Sequence, residues 1–149
     1  MLDSNNQKFN HLKIHTQYSI CEGAIKIENL RDFCRENKIP CLGLSDTSNL
    51  CGALEFAENI SKVGTQPVIG TQINFKYEDT TGLLPLIALN EKGYKRIINL
   101  SSKSYLENDN LSDPHLDIKE LLVETDGVII LSGTIHGLFG KLFEKGRLE

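Results

Sequence analysis

The sequence predicts an α/β fold of parallel strands with flanking helices. Three observations carry this. Short apolar runs suited to buried strands alternate with segments whose apolar residues recur at helical spacing. The alternation repeats along nearly the whole chain, which is the pattern of successive βα units. A length of 149 residues, 40% hydrophobic and 24% charged with no low-complexity run, is enough to bury a core of that kind.

Each element has its own signal. Residues 11–15, His-Leu-Lys-Ile-His, read as a strand that would turn His11, Lys13 and His15 to one face and Leu12 and Ile14 to the other. Ile27, Leu30, Phe33 and Cys34 follow helical spacing, and Asn37 with Pro40 stops that helix. Cys41-Leu42-Gly43-Leu44 is a buried strand. Ser48 or Asn49 is placed to cap a helix whose apolar face is Ala53, Leu54, Ala57 and Ile60, ending at Gly64. Pro67 to Gly70 is another buried strand, and Gln72 to Phe75 continues it or pairs beside it. Leu83 to Leu89 is a strand, after which Asn90 caps a helix carrying Tyr94, Ile97, Ile98 and Tyr105. Glu107 to Pro114 is a polar loop, Ile118 to Val123 a short helix, Gly127 to Leu131 a buried strand and Leu138 to Phe143 the start of a last helix. With no strand after that helix, the chain reads as the opening portion of a larger barrel or wound sheet. Residues 1–10 are expected to be a polar tail, and residues 11–149 a domain that continues past Leu148-Glu149.

Charge and cysteine usage narrow the function classes. The net charge is −4 and the isoelectric point about 5.6, with Lys and Arg scattered and no Trp. That is not the footprint of a chain that holds nucleic acid by itself. No apolar run reaches membrane-spanning length, and Met1 to Asn10 lacks the apolar core of a signal peptide, so a cytoplasmic protein is expected. The four cysteines, at 21, 34, 41 and 51, form no CxxC pair and no zinc spacing. They are expected as reduced thiols, with Cys34 and Cys41 buried. No Walker A loop and no G-x-S-x-G elbow occurs.

The chemistry-bearing residues are few. A row of imidazoles at the end of a strand is a common start for a metal pocket, but here the middle of the row is Lys13, whose charge repels cations. In parallel α/β folds, chemistry gathers at the carboxyl ends of strands. Those ends are His15, Ser45-Asp46-Thr47, Gly70-Thr71-Gln72, the segment around Leu83, and Ser132-Gly133-Thr134. Most are neutral, where a multi-metal phosphoesterase needs carboxylates and imidazoles. His15 reads more readily as a polar residue satisfied by Asp46 or a backbone carbonyl than as a ligand, because a metal needs three or more convergent donors. Asp46 reads as a general base or ligand, or as a turn residue capping the helix near Asn49. His136 belongs in the loop or first turn of the last helix, and His115 in a surface loop.

Six blocks occur in order: His11-Leu12-Lys13-Ile14-His15-Thr16, Glu22-Gly23-Ala24, Leu44-Ser45-Asp46-Thr47-Ser48-Asn49-Leu50-Cys51-Gly52, Pro67-Val68-Ile69-Gly70, Asn90-Glu91-Lys92-Gly93-Tyr94, and Gly127-Val128-Ile129-Ile130-Leu131-Ser132-Gly133. From about residue 9 onward the chain resembles the PHP (polymerase and histidinol phosphatase) domain at the N-terminus of bacterial DNA polymerase III alpha subunits. The resemblance implies a distorted (βα) barrel, of which this would be the N-terminal portion. Active members hold a cluster of metal ions. By position, their first pair of histidines corresponds to Lys13 and His15, and their Asp-Gly to Glu22-Gly23. Their Asp-His corresponds to Asp46-Thr47, and a glutamate after the Ile-Gly strand to Gln72. A strand-opening histidine falls near Leu83, a cysteine after Leu-Ser-Gly falls on Thr134, and the last Asp and His ligands would lie beyond Glu149.

The resemblance thus implies a vestigial site made of Lys13, His15, Glu22, Asp46, Thr47, Gln72, Leu83 and Thr134, with no catalytic residue, no metal and no cofactor in this portion. It implies a role in DNA replication as a scaffold and as a docking surface for the proofreading exonuclease (epsilon) subunit. The remaining partner would be the rest of the alpha subunit, which would carry the DNA-directed nucleotidyltransferase chemistry and the DNA contacts. The alternative is a working metal-dependent phosphoesterase, a 3′–5′ exonuclease or pyrophosphatase. Within the scaffold reading, Lys13 is expected to stand in for the lost cation by placing its ammonium between Glu22 and Asp46, or else to extend into solvent from the pocket mouth.

Overall fold

The computed structural model describes residues 9–108 and 112–146. Most of the expected polar tail, the middle of the expected loop at 107–114 and the pair Leu148-Glu149 lie outside the described residues. The element order is α1 (Ile27–Asn37), β1 (Cys41–Thr47), α2 (Ala53–Ser61), β2 (Gln66–Tyr77), β3 (Thr80–Ala88), α3 (Glu91–Leu106), β4 (Leu116–Asp117), α4 (Ile118–Leu122), β5 (Val128–Ile130) and α5 (Leu138–Glu144).

Among the described residues, five strands form one mixed sheet with the path β1-β2-β3-β5, and β4 pairs beside β2. β1 and β4 each run parallel to β2. β3 pairs antiparallel with both β2 and β5. The all-parallel expectation is therefore corrected at one strand, since β3 alone runs against the rest. The cause is local. Tyr77 pairs with Thr80, so only Glu78 and Asp79 connect β2 to β3. A two-residue connection permits only an antiparallel hairpin. Glu78 takes a left-handed φ of 53° to make it. Glu-Asp is not the Asn-Gly or Asp-Gly signature of such a turn, which is why it escapes sequence reading. Gln72 to Phe75 continues β2, one of the two arrangements the sequence left open.

The first segment is less regular than a strand. Ile14 and Thr16 make isolated bridges to Leu44 and Ile25. His11 and Ile14 reach β1 through Gly43 N–H to His11 O at 2.7 Å and Ile14 N–H to Gly43 O at 3.2 Å. The alternation of faces is lost, because His11 and Ile14 line the same apolar cleft of about 440 Å³ with Ile25, Leu30, Phe33 and Leu42.

Two clusters hold the layers together. Leu42 and Leu44 of β1 pack against Ile27, Leu30 and Cys34 of α1 and Ala53, Phe56 and Ile60 of α2. Ile73 and Phe75 of β2 with Leu84 and Leu86 of β3 pack against Ile97 and Leu100 of α3 and Leu138 and Leu142 of α5. Each of these large apolar side chains contributes about 1.5–3 kcal/mol by leaving water. Cys34 is buried as expected, whereas Cys41 is half-buried and Cys21 and Cys51 are exposed, and all four thiols are free. Burial pushes the Cys34 thiol pKa up.

Caps differ from expectation at one helix. Asn90 accepts Gly93 N–H at 2.9 Å and caps α3 as expected. Neither Ser48 nor Asn49 caps α2, which begins after Gly52 without a side-chain cap. Ser48 instead takes a left-handed φ of 56° and donates its N–H to Gln72 O at 2.7 Å. Within α3, Gly93 is required by close approach: a Cβ there would lie 1.7 Å from Gly127 O. Among the described residues no helix is long and apolar enough to cross a membrane.

Candidate functional site

The site forms where the carboxyl end of β1 meets the middle of β2. Thr47 is the register partner of Gln72, and Asp46 of Thr71. Neighbouring residues on a strand point to opposite faces, so Thr47 and Gln72 share one face and Asp46 takes the other. Residues 15–23 then turn across this end of the sheet.

Asp46 is completely buried and is the anchor of that turn. Its Oδ1 accepts the backbone N–H of Thr16 at 2.6 Å and the hydroxyl of Ser19 at 2.6 Å. Its Oδ2 accepts the Thr16 hydroxyl at 2.7 Å. Thr16 Oγ1 in turn accepts Tyr18 N–H at 3.2 Å. The turn closes through Ser19 O, which accepts Glu22 N–H at 3.0 Å and Gly23 N–H at 2.9 Å. Gly23 is needed because a Cβ there would stand 2.0 Å from Thr16 O. The expected role of Asp46 as a helix cap is corrected: its carboxylate faces the preceding loop, not α2.

A second chain of polar groups crosses the other face. Gln72 donates through Nε2 to Thr47 Oγ1 at 2.7 Å, and the Thr47 hydroxyl donates to Glu22 Oε2. Thr47 N–H donates to Ser19 Oγ at 3.1 Å. His15 Nδ1 lies 3.3 Å from Ser19 Oγ and 3.8 Å from Glu22 Oε2. Asn49 ties the loop to β1 by donating to Tyr18 O and Thr47 O, both at 2.9 Å. Tyr18 donates its hydroxyl to Glu55 Oε2 at 2.6 Å. That hydrogen bond, with the charge of the same carboxylate, raises the Tyr18 pKa.

The structure thus brings His15, Glu22, Asp46, Thr47 and Gln72 together and leaves three predicted positions aside. Lys13 is exposed and makes no ion pair with Glu22 or Asp46, so the expectation of an ammonium between the two acids is corrected. The reason is that Thr16 and Ser19 already supply the donors that Asp46 needs. Leu83 pairs with Asn74 on the face that Gln72 shares, but is half-buried and brings no polar atom. Thr134 is exposed in the turn before α5, where its Oγ1 accepts His136 N–H at 3.2 Å. His15 meets Ser19 and Glu22 rather than Asp46 or a backbone carbonyl. Sequence reasoning does not place Thr16, Ser19 or Asn49 in the site, and expects Asn49 only as a helix cap. The available signal was short polar side chains in a segment with no periodicity, the type that satisfies turns through side-chain-to-backbone bonds.

These donors do not fit a cluster of divalent cations. Asp46 spends both oxygens on protein donors, and Glu22 shares Oε2 with Thr47. Thr47 and Gln72 are neutral. Among the described residues, no three His, Cys, Asp or Glu side chains converge as a metal would require.

The profile of the PHP domain matches residues 11–149. The chain belongs to the PHP domain family. Its relatives include a DNA polymerase III subunit alpha of Rickettsia felis, 38% identical over 135 residues, which are 90% of this chain and 11% of that protein. Another is a DNA polymerase III subunit alpha of Caulobacter vibrioides, 35% identical over 155 residues, covering 99% of this chain and 14% of that protein. The chain spans roughly a tenth of the length of the curated relatives it matches. In fold, this PHP domain resembles an amidohydrolase from Chromobacterium violaceum, with a TM-score of 0.53 at 16% identity over 64% of this chain and 32% of that one.

Proposed function

We propose that this chain is PHP-domain sequence of a bacterial DNA polymerase III alpha subunit, serving replication as a scaffold rather than as a phosphoesterase. In this reading residues 11–149 belong to one PHP domain, the site around Asp46 is a degraded metal site, and the domain is a docking surface for the proofreading exonuclease subunit within a cytoplasmic holoenzyme. Polymerase chemistry and DNA contacts belong to the rest of the alpha subunit.

The observation that carries the scaffold reading is the Gln72–Thr47–Glu22 chain together with the Asp46 anchor. Residues at former ligand positions bond to one another, so the carboxylates are matched by protein donors and do not call for cations. Support for the replication role is the identity to alpha subunits over 90% or more of the chain. The docking role follows from the resemblance to the alpha-subunit PHP domain.

Two assays test it. Mixed with the proofreading exonuclease subunit of the same cell, the protein should co-elute with it on size exclusion. With Mn²⁺ or Zn²⁺ it should release no product from phosphomonoesters or from single-stranded DNA ends. Separate elution contradicts the docking role. Metal-dependent hydrolysis that His15→Ala abolishes contradicts the scaffold and restores the phosphoesterase alternative.

A further inference from the structure

Hydrogen-bond bookkeeping at Ser19 fixes a proton that the heavy-atom positions alone leave open. A serine hydroxyl has one proton to give and two lone pairs to receive. Ser19 Oγ lies 2.6 Å from Asp46 Oδ1, 3.1 Å from Thr47 N and 3.3 Å from His15 Nδ1. The carboxylate can only accept, so the single Ser19 proton goes to Asp46. The backbone N–H of Thr47 can only donate, so it takes one lone pair. One lone pair is left for His15, and that contact is a hydrogen bond only if Nδ1 carries the proton.

The surroundings agree. Thr16 also directs its hydroxyl proton to Asp46 and receives Tyr18 N–H, so Asp46 is approached by donors on both oxygens. The other group near His15 Nδ1 is Glu22 Oε2 at 3.8 Å, again an acceptor. Ser19 is fully buried, so water does not compete for its lone pairs, whereas the His15 side chain keeps a quarter of its surface exposed.

We infer that Asp46, Ser19 and His15 form a relay that holds neutral His15 in the Nδ1–H tautomer, leaving Nε2 as a bare lone pair. Asp46 is then a positioning residue acting through Ser19, not a leftover ligand. The chemistry offered is a single oriented nitrogen that accepts a hydrogen bond or a proton from a donor such as a hydroxyl, an amide or an ammonium. The inference stands apart from the scaffold proposal, since it concerns one ring proton and not metal content or partners.

The test is two-bond ¹H–¹⁵N correlation spectroscopy on protein labelled with ¹⁵N at histidine, recorded about two units above the ordinary imidazole pKa of about 6.5 so that the ring is neutral. His15→Gln identifies the His15 signals among those of His11, His115 and His136. The wild type should show protonated Nδ1 and unprotonated Nε2 at His15. Ser19→Ala should move the pattern toward Nε2–H, and Ser19→Thr, which keeps the hydroxyl, should restore Nδ1–H. An Nε2–H pattern in the wild type overturns the relay without any variant. So does a Ser19→Ala protein that stays folded and keeps the wild-type pattern. The hydrolysis and co-elution assays are independent of either result.

Discussion

Gln72 and Thr47 are register partners on adjacent parallel strands, and Gln72 Nε2 donates to Thr47 Oγ1 at 2.7 Å. The Thr47 hydroxyl in turn donates a hydrogen bond to Glu22 Oε2. Gln72, Thr47 and Glu22 are thus joined by direct hydrogen bonds. Among the described residues, the buried Gln72 Oε1 and Ser45 Oγ have no hydrogen-bond partner.

Asp46 is the residue on which the loop depends most. Asp46→Ala removes the acceptor of three hydrogen bonds and strands the Thr16 N–H and two hydroxyls in a buried place. The expected destabilisation is roughly 3 kcal/mol or more. Urea denaturation at neutral pH measures it, and a loss below about 1 kcal/mol would show that the loop is held by something else.

Lys13 is expected to matter little. It is exposed and outside the polar cluster, so Lys13→Ala should change stability by no more than about 0.5 kcal/mol. A shift of several kcal/mol in the same denaturation experiment would mean that its ammonium reaches the acids after all.

Gly93→Ala has an expected sign opposite to helix propensity. In a free helix alanine gains about 1 kcal/mol over glycine. Here the new methyl would meet the carbonyl of Gly127, which is backbone and cannot swing aside. A net loss of about 1–3 kcal/mol is expected. A rise in melting temperature would show that α3 and the turn at Gly127 separate easily.

Acid should release one surface cluster. Lys92 meets Glu124 at 2.8 Å and Asp126 at 2.9 Å. The hydrogen bond from Lys92, then its charge, lowers the Asp126 pKa below its ordinary 3.8. A lowered folded-state value means that Asp126 contributes stability above pH 3.8, lost as pH falls through the lowered value. The Lys92 pKa is raised by the same partners, so its contribution is complete below 10.5 and fades only in strong base. Wild type and Lys92→Met should therefore differ by a constant amount across neutral pH and converge in acid. Because the cluster is exposed, added salt should shrink the gap. A gap that widens in acid would reverse the assignment.

The sequence resolved the elements better than their directions. Ile27, Leu30 and Cys34 mark α1 because one helix face is buried, and Leu42 and Leu44 mark β1 because its buried first half is an apolar run. The reversal at β3 was illegible because Glu78-Asp79 carries no turn signature and no helix intervenes to betray the crossover. At the site, family spacing brought His15, Glu22, Asp46, Thr47 and Gln72 into view. The partners that decide their chemistry, Thr16 and Ser19, stayed hidden, since a serine in a loop looks alike whether it caps a turn or bonds a carboxylate 27 residues away.

In the proposed scaffold, protein donors fill the role of cations at this site. Elemental analysis of the purified protein after dialysis against Mn²⁺ and Zn²⁺ tests it most directly. The expected result is far less than one metal per chain, and the same melting temperature with and without a chelator. Near one or more metals per chain, lost in His15→Ala and stabilising against heat, would contradict it.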